Sequence, residues 1–308
     1  MVFDDFDEFT IETAGGRIFG VHAGTGPAVL LLHGMPQTHL MWRYVAPRLA
    51  GEFTVVATDL RGYGASGFPG ADGAEGAGGG LHGHSMRSLA VDQVSVMREL
   101  GFPEFSVVGH DRGARCAYRM ALDHPDTINA LAVMDVIPTA DAYARADRDF
   151  ALGYWVWSFL AAPSPVPERL IAGDPDAFVD HLLDTWSDNP RAFDPEARRI
   201  YREQFHDPGR VHAICEQYRA AATADIEHDE HDRGRQLSIP VLVLWSSTGA
   251  VNTWYDPLEI WRSWATDVSG AAVPAGHFLP EEAPDTTLES LTPFLRTAIA
   301  GPATQRRR

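Results

Sequence analysis

The chain has 308 residues, a formal charge of −17 and no lysine, so every fixed cation is an arginine. Its hydrophobic share of 45% and charged share of 22% are those of a soluble globular protein, and so acidic a surface argues against nucleic acid and anionic membranes as partners. No run approaches the ~18 apolar residues of a membrane span, the acidic segment Met1–Glu8 has no signal-peptide pattern, and Cys116 and Cys215 make neither a disulfide framework nor a zinc site.

Two free thiols in a reducing cytoplasm are the expectation. The length fits one sizeable core with an inserted subdomain. A site for an anion on so acidic a protein needs a local cluster of Arg, because the global field repels the ligand until salt screens it beyond ~8–10 Å.

In chain order, Thr10–Thr13 and Arg17–His22 flank Ala14-Gly15-Gly16 and predict a β-hairpin. Ala28–Leu32 and Phe53–Ala57 are continuous apolar runs, the pattern of strands buried on both faces of a parallel sheet. Residues 70–83 are Gly-rich and predict a surface loop without chemistry of its own. A helical pattern covers Ser85–Leu100. A strand over Phe105–Gly109, a helix over Arg112–Asp123 and a strand over Ile128–Asp135 follow. Val241–Trp245 is another buried strand, then come a helix near Pro257–Trp264 and a strand near Gly270–Val273. This alternation predicts a doubly wound, mostly parallel α/β sheet. The middle section carries no strand signal and is rich in Trp, Tyr, Arg and Pro. It reads as a helical cap over 138–235, inserted between core segments 1–137 and 236–308.

Gly109-His110-Asp111-Arg112-Gly113 joins a buried strand to a helix. The form G-x-D-x-G is that of a nucleophile elbow, a turn so tight that its flanks need glycine. It predicts an α/β-hydrolase fold with Asp111 as the nucleophile. The backbone N–H of Arg112 and that of Met35, in the turn His33-Gly34-Met35-Pro36, are the candidate oxyanion donors. A carboxylate nucleophile needs a base to activate water and an acid to orient that base. His277, in Ala275-Gly276-His277-Phe278 after the last strand, is the candidate base. The candidate acid is Asp135, directly after its strand, because the segment Ser246–Asn252 after the next strand holds no carboxylate. Asp256 is the fallback and reads more simply as a helix N-cap before Pro257. A carboxylate attacks sp³ carbon by displacement and is regenerated by hydrolysis of its own ester. That selects displacement of halide or opening of an epoxide.

Arg112 and Arg115, three apart on a helix, share a face. Both guanidinium groups are expected at the pocket floor, where they grip a small anionic substrate through its carboxylate and keep Asp111 ionised. This is the local cluster that the acidic surface demands.

At these residues the sequence resembles the fluoroacetate dehalogenase family of α/β-hydrolases over nearly its whole length. The specific pieces are His33-Gly34-Met35-Pro36-Gln37, Asp59-Leu60-Arg61-Gly62-Tyr63-Gly64, the elbow through Arg115, Tyr118–Pro125, Tyr218-Arg219-Ala220-Ala221 and Gly276–Glu282. The resemblance implies Asp111 as nucleophile, His277 as base, Asp135 as its acid and Arg112 with Arg115 as carboxylate clamp. It also implies a halide cradle of a His, a Trp and a Tyr from the cap. The Trp corresponds to Trp157, the Tyr to Tyr218, and Trp186 to a further cap Trp near the substrate. The His does not correspond: its position in Tyr154-Trp155-Val156-Trp157 is Val156. Losing one donor at a developing anion costs ~3 kcal/mol, so weakened defluorination and a preference for chloroacetate or bromoacetate are expected. No metal or organic cofactor is implied, and a homodimer is an open expectation.

Two rivals stand beside this reading. An epoxide hydrolase shares the same triad and would use Tyr154 and Tyr218 on the epoxide oxygen. Arg112 argues against it, since that position is usually Trp in epoxide hydrolases. A non-catalytic sensor of small acids often lacks a triad member, and here all three are present.

Overall fold

The structure, a computed structural model, describes residues 3–68 and 81–300. An eight-stranded sheet runs in the order β1-β2-β4-β3-β5-β6-β7-β8. The hairpin is β1 (Asp7–Thr13) with β2 (Gly16–Ala23), and β2 pairs antiparallel with β4 (Thr54–Thr58). From there the sheet is parallel through β3 (Ala28–Leu32), β5 (Phe105–His110), β6 (Ile128–Met134), β7 (Leu237–Ser246) and β8 (Ala265–Val273). The mostly parallel α/β architecture expected from the sequence is the one found.

The apolar runs read as central strands split by alternation between two cores. Leu30, Leu32, Val56, Val107, Val133 and Val243 face one core, while Val29, Leu31, Val55, Val108, Met134 and Leu244 face the other. The second core is covered by α1 (Ala46–Leu49) and a C-terminal helix described below. The first is covered by α2 (Met86–Glu99) and α3 (Arg112–Asp123). Strand β8 starts five residues before the expected Gly270, at Ala265. It is the edge strand, and Thr266 and Asp267 are exposed, so its first half has no apolar run to announce it. Of the Gly-rich stretch, residues 70–80 lie outside the described residues, and Leu81–His84 forms a short 3-10 turn.

Between β6 and β7 the described chain holds helices only: α4 (Thr139–Ala144), α5 (Arg148–Gly153), α6 (Trp155–Leu160), α7 (Val166–Gly173), α8 (Pro175–Trp186), α9 (Pro195–Glu203), α10 (Pro208–Ala221) and α11 (Ala224–His231). This cap is tied to the core at its root. The Asp229 carboxylate accepts the Tyr118 hydroxyl at 2.8 Å and the Ala140 N–H at 3.0 Å, and Trp264 Nε1 donates to Asp141 at 2.8 Å. Helix α10 lies over the strand ends, with Gln217 Nε2 donating to the Arg61 carbonyl at 2.8 Å. After β7 come α12 (Ala250–Trp254), α13 (Pro257–Arg262), α14 (Leu279–Glu282) and α15 (Pro284–Ala300), the last of which packs on the second core. No helix among the described residues is long and apolar enough to cross a membrane.

Candidate active site

Asp111 sits between β5 and α3 with φ 45° and ψ −114°, a conformation that costs ~1–3 kcal/mol for a non-glycine residue and survives only where its surroundings enforce it. The flanking glycines are that enforcement. A Cβ on Gly109 would lie 2.4 Å from the Gly113 carbonyl oxygen, and one on Gly113 would lie 2.3 Å from that of Leu32. The elbow is therefore pressed directly against the end of β3. The Met35 N–H, in the turn after β3, donates to Asp111 Oδ1 at 3.1 Å.

Asp135 follows β6 with φ 55°. Its Oδ1 accepts the Ser246 N–H at 3.0 Å, and its Oδ2 lies 2.6 Å from His277 Nδ1. Nδ1 thereby carries a proton toward Asp135, and in the neutral form of the ring Nε2 is the lone-pair atom. His277 Nε2 is buried and has no partner among the described residues. The fallback acid, Asp256, caps α13 by accepting the Glu259 N–H at 2.9 Å and takes no part in this site.

Asp111, Asp135 and His277 share one cavity of about 230 Å³, walled by the core on one side and by Tyr154, Trp157, Trp186 and Tyr218 of the cap on the other. Trp186 meets His277 edge to face at 5.5 Å between ring centres. The hydroxyls of Tyr154 and Tyr218 and the Trp157 indole N–H make no hydrogen bond among the described residues.

The two arginines part company. Arg115 lines the cavity, held by Nη1 donating to the Ile137 carbonyl and to Thr139 Oγ1, both at 3.1 Å, with its guanidinium 4.4 Å over the Trp157 ring. Arg112 is buried behind the wall, 4.6 Å over the Tyr218 ring, with Nη2 donating to the Gln217 carbonyl at 3.0 Å. The Nε–H of each is buried without a partner among the described residues.

Val156 departs from expectation. It is buried in the apolar core and is not part of the cavity wall. Adjacent positions on a helix diverge by about 100°, so with the Trp157 ring turned toward Arg115 the short Val156 side chain faces into the cap. It frees no room for a larger halogen.

Charge couples these groups. Burial pushes the Asp111 carboxyl upward, but His277, His110, Arg115 and the Met35 N–H outweigh it and hold Asp111 below its ordinary 3.8. Burial pushes His277 downward, and the hydrogen bond and charge of Asp135, with Asp111 and Glu282, raise it above 6.5. Burial and the neighbouring His277 lower His110 to about 4, so His110 is neutral and donates Nε2–H to the His277 carbonyl at 2.8 Å. Burial keeps the Tyr218 hydroxyl protonated.

The sequence did not point to the outer wall, formed by Gly153, Thr185, Asp188, Thr248, Gly249 and Ala250. It also gave no role to Thr139, which steadies Arg115, or to Glu282. The only sequence signal for Glu282 was its place at the end of Gly276–Glu282.

The chain belongs to the α/β-hydrolase fold family, whose model matches residues 27–284. Within that family it is 43% identical over 302 residues to a fluoroacetate dehalogenase of Burkholderia sp, covering 97% of each chain. A soluble epoxide hydrolase of Corynebacterium sp. (strain C12) is more distant, at 31% identity over 91% of this chain and 94% of that one. The crystal structure of ALR0039, from Nostoc sp PCC 7120, superimposes with a TM-score of 0.91 at 47% identity, covering 96% of this chain and 99% of that chain.

Proposed function

We propose that the protein hydrolyses the carbon–halogen bond of haloacetates through a covalent ester on Asp111. The observation that carries this reading is the joining, in one small cavity, of an ionised Asp111, a His277 braced by Asp135, and a guanidinium, that of Arg115. The similarity to a fluoroacetate dehalogenase over nearly the whole chain supports the same chemistry. The Nε–H of Arg115, buried at the cavity wall without a partner among the described residues, supports a carboxylate-bearing substrate, because burying a guanidinium donor without an acceptor is costly.

In the first step Oδ2 attacks the carbon bearing the halogen. Oδ1 is engaged by Met35, which leaves Oδ2 as the free oxygen. The C–O bond forms as the carbon–halogen bond breaks, and the halide departs with the bonding pair. The Trp157 N–H and the Tyr218 O–H, with the Tyr154 O–H beside them, are the donors on that wall without a partner among the described residues. In the second step water gives a proton to His277 Nε2 and attacks the ester carbonyl carbon. Charge collects on Oδ1, which accepts the Met35 N–H, with the backbone N–H of Arg112 as the second donor expected of the elbow. Collapse breaks the bond between the carboxyl carbon and the glycolate oxygen, which takes up the proton held on His277 Nε2. The new carboxyl group of Asp111, carrying an oxygen from water, loses its own proton to solvent.

Esterification also switches the base on. It removes the Asp111 charge, one of the groups that raise His277, so the imidazole loses its proton more readily when it must accept one from water. With Val156 supplying no donor, the halide meets fewer hydrogen bonds than a His-bearing cradle gives. Fluoride, the most dependent on them, is expected to be released more slowly than chloride or bromide.

An epoxide hydrolase is the second reading. Tyr154 and Tyr218 both line the cavity with unpartnered hydroxyls, the donors that an opening epoxide needs. Halide and glycolate release from fluoroacetate, chloroacetate and bromoacetate, with Asp111→Asn as blank, tests the choice. Release that vanishes in the variant supports the dehalogenase. No release from any of the three, with turnover of small epoxides, replaces it by the second reading.

A further inference from the structure

His277 rides on a loop whose backbone is pinned from several sides. The Ala275 carbonyl accepts the Ser246 hydroxyl at 2.6 Å, the His277 N–H donates to the Trp186 carbonyl at 2.7 Å, and the His277 carbonyl accepts from His110 at 2.8 Å. The N–H groups on either side of His277 both go to one side chain. Gly276 donates to Glu282 Oε2 at 3.1 Å, and Phe278 donates to Glu282 Oε1 at 3.0 Å. The same carboxylate reaches the cap: Oε2 accepts the N–H of Asp188 at 2.8 Å and that of Asn189 at 3.1 Å. Those residues continue directly from Trp186, whose ring edge meets the imidazole. The fit leaves no slack, since a Cβ on Gly276 would sit 2.5 Å from the Asp188 nitrogen. A latch closes the outside, where Thr248 Oγ1 donates to Asp188 Oδ2 at 2.6 Å.

We propose that Glu282 is the positioning residue for the water-activating step, its carboxylate fixing the His277 loop and the Trp186–Asn189 segment of the cap as one unit. Four backbone N–H groups converge on it. An ionised carboxylate accepts all of them, whereas an amide must turn an NH₂ toward at least one. The neighbouring Glu281 acts elsewhere, buried and bound to Arg43, Gln37 and Tyr201, away from the His277 loop. Nothing in the contacts of Glu282 touches Asp111, so ester formation does not depend on it. Ester hydrolysis does, because it requires His277 Nε2 aimed at a water on the ester carbon.

The inference rests on the covalent mechanism proposed above, and the experiment separates the two. Wild type, Glu282→Gln, Glu282→Ala and His277→Gln are mixed with bromoacetate. Bromide release is followed in the first turnover and at steady state, and acid-quenched protein is weighed by mass spectrometry. The expected result is a first-turnover burst within about 3-fold of wild type in both Glu282 variants. Steady-state turnover falls by about 10²-fold in Glu282→Ala, the scale of a ~1 Å misplacement, and less in Glu282→Gln, which keeps most of its accepting oxygen. The protein carries one carboxymethyl group per chain while it turns over. A burst that falls in step with turnover, without ester, assigns Glu282 to general structure and overturns the proposal, as does unchanged turnover. No bromide and no ester in wild type and His277→Gln overturns the underlying mechanism instead.

Discussion

The two walls of the cavity are built differently. On the core side Asp111 and Asp135 hold positive-φ backbone at the ends of β5 and β6, and each carboxylate is tied to a backbone N–H. On the cap side Tyr154, Trp157, Trp186 and Tyr218 are held by ring packing. Tyr154 stacks on Trp157 at 5.6 Å and 8°, and Tyr218 and Trp157 each cover one arginine. Strain and hydrogen bonds fix atoms to fractions of an ångström, and Trp186 shares in this through its carbonyl, which accepts the His277 N–H, whereas the stacked Tyr154 and Trp157 rings at the six-residue α6 tolerate adjustment. In the proposed mechanism the covalent chemistry belongs to the rigid wall, and substrate choice to the rings that can repack.

The sharpest break comes on the rigid side. Asp111→Asn is expected to lower turnover by about four orders of magnitude or more, with no burst and no ester in the quenched protein. A variant that still released halide at a tenth of the wild-type rate would move the nucleophile elsewhere. His277→Gln cuts turnover by a comparable factor but leaves a stoichiometric burst and a stable ester, so the two variants divide the reaction at its intermediate. Asp135→Asn behaves like His277→Gln, because an amide at 2.6 Å from Nδ1 no longer selects the tautomer with its lone pair on Nε2.

Acidic pH makes the same division without a mutation. Asp111 is held below its ordinary 3.8 and stays ionised through mildly acidic pH, so the proposed ester formation is expected to continue there. His277, faced by Asp135, Asp111, Glu282 and His110, is raised above 6.5 while Asp111 is free, and protonation removes its ability to accept a proton from water. Turnover is expected to fall on acidification before the burst does, with ester accumulating in the wild-type protein. A burst and a turnover that titrate together would show that one group governs both steps.

Arg115→Lys probes the junction of the walls. A lysine keeps the charge but loses the planar fork that binds Ile137 and Thr139 and lies on Trp157. A KM for chloroacetate raised about 10- to 100-fold, with kcat changed far less, is the expected outcome. An equal loss in both would mean that Arg115 acts on the transition state rather than on binding.

The sequence made the rigid wall legible because local rules govern it. Apolar runs predict central strands, and paired glycines around Asp111 predict the elbow. Asp135 stood out because the segment after the next strand was empty of carboxylates. The adaptable wall was legible only as a supply of aromatic residues. Nothing local tells that Arg112 lies behind Tyr218 while Arg115 reaches the cavity. Both follow from how α10 and α6 settle on α3, contacts between residues about a hundred or about forty positions apart. Glu282 escaped for the same reason, since its cap partners lie 94 and 93 residues away in the chain.

Val156 gives the smallest and most discriminating test. It faces the core rather than the cavity, yet it neighbours Trp157, and an imidazole is longer than an isopropyl group. In Val156→His a ring that reaches the wall adds an N–H donor to the halide site. A full donor is worth about 10² in rate, and one placed from a position now turned inward is worth less. Fluoride release is therefore expected to rise by about 10-fold relative to chloride release. The change also buries a polar ring in an apolar cluster, so a lower melting temperature is expected alongside. A lower melting temperature with an unchanged fluoride-to-chloride ratio would show that the ring stays in the core, and that halide choice is set by Trp157 and Tyr218 alone.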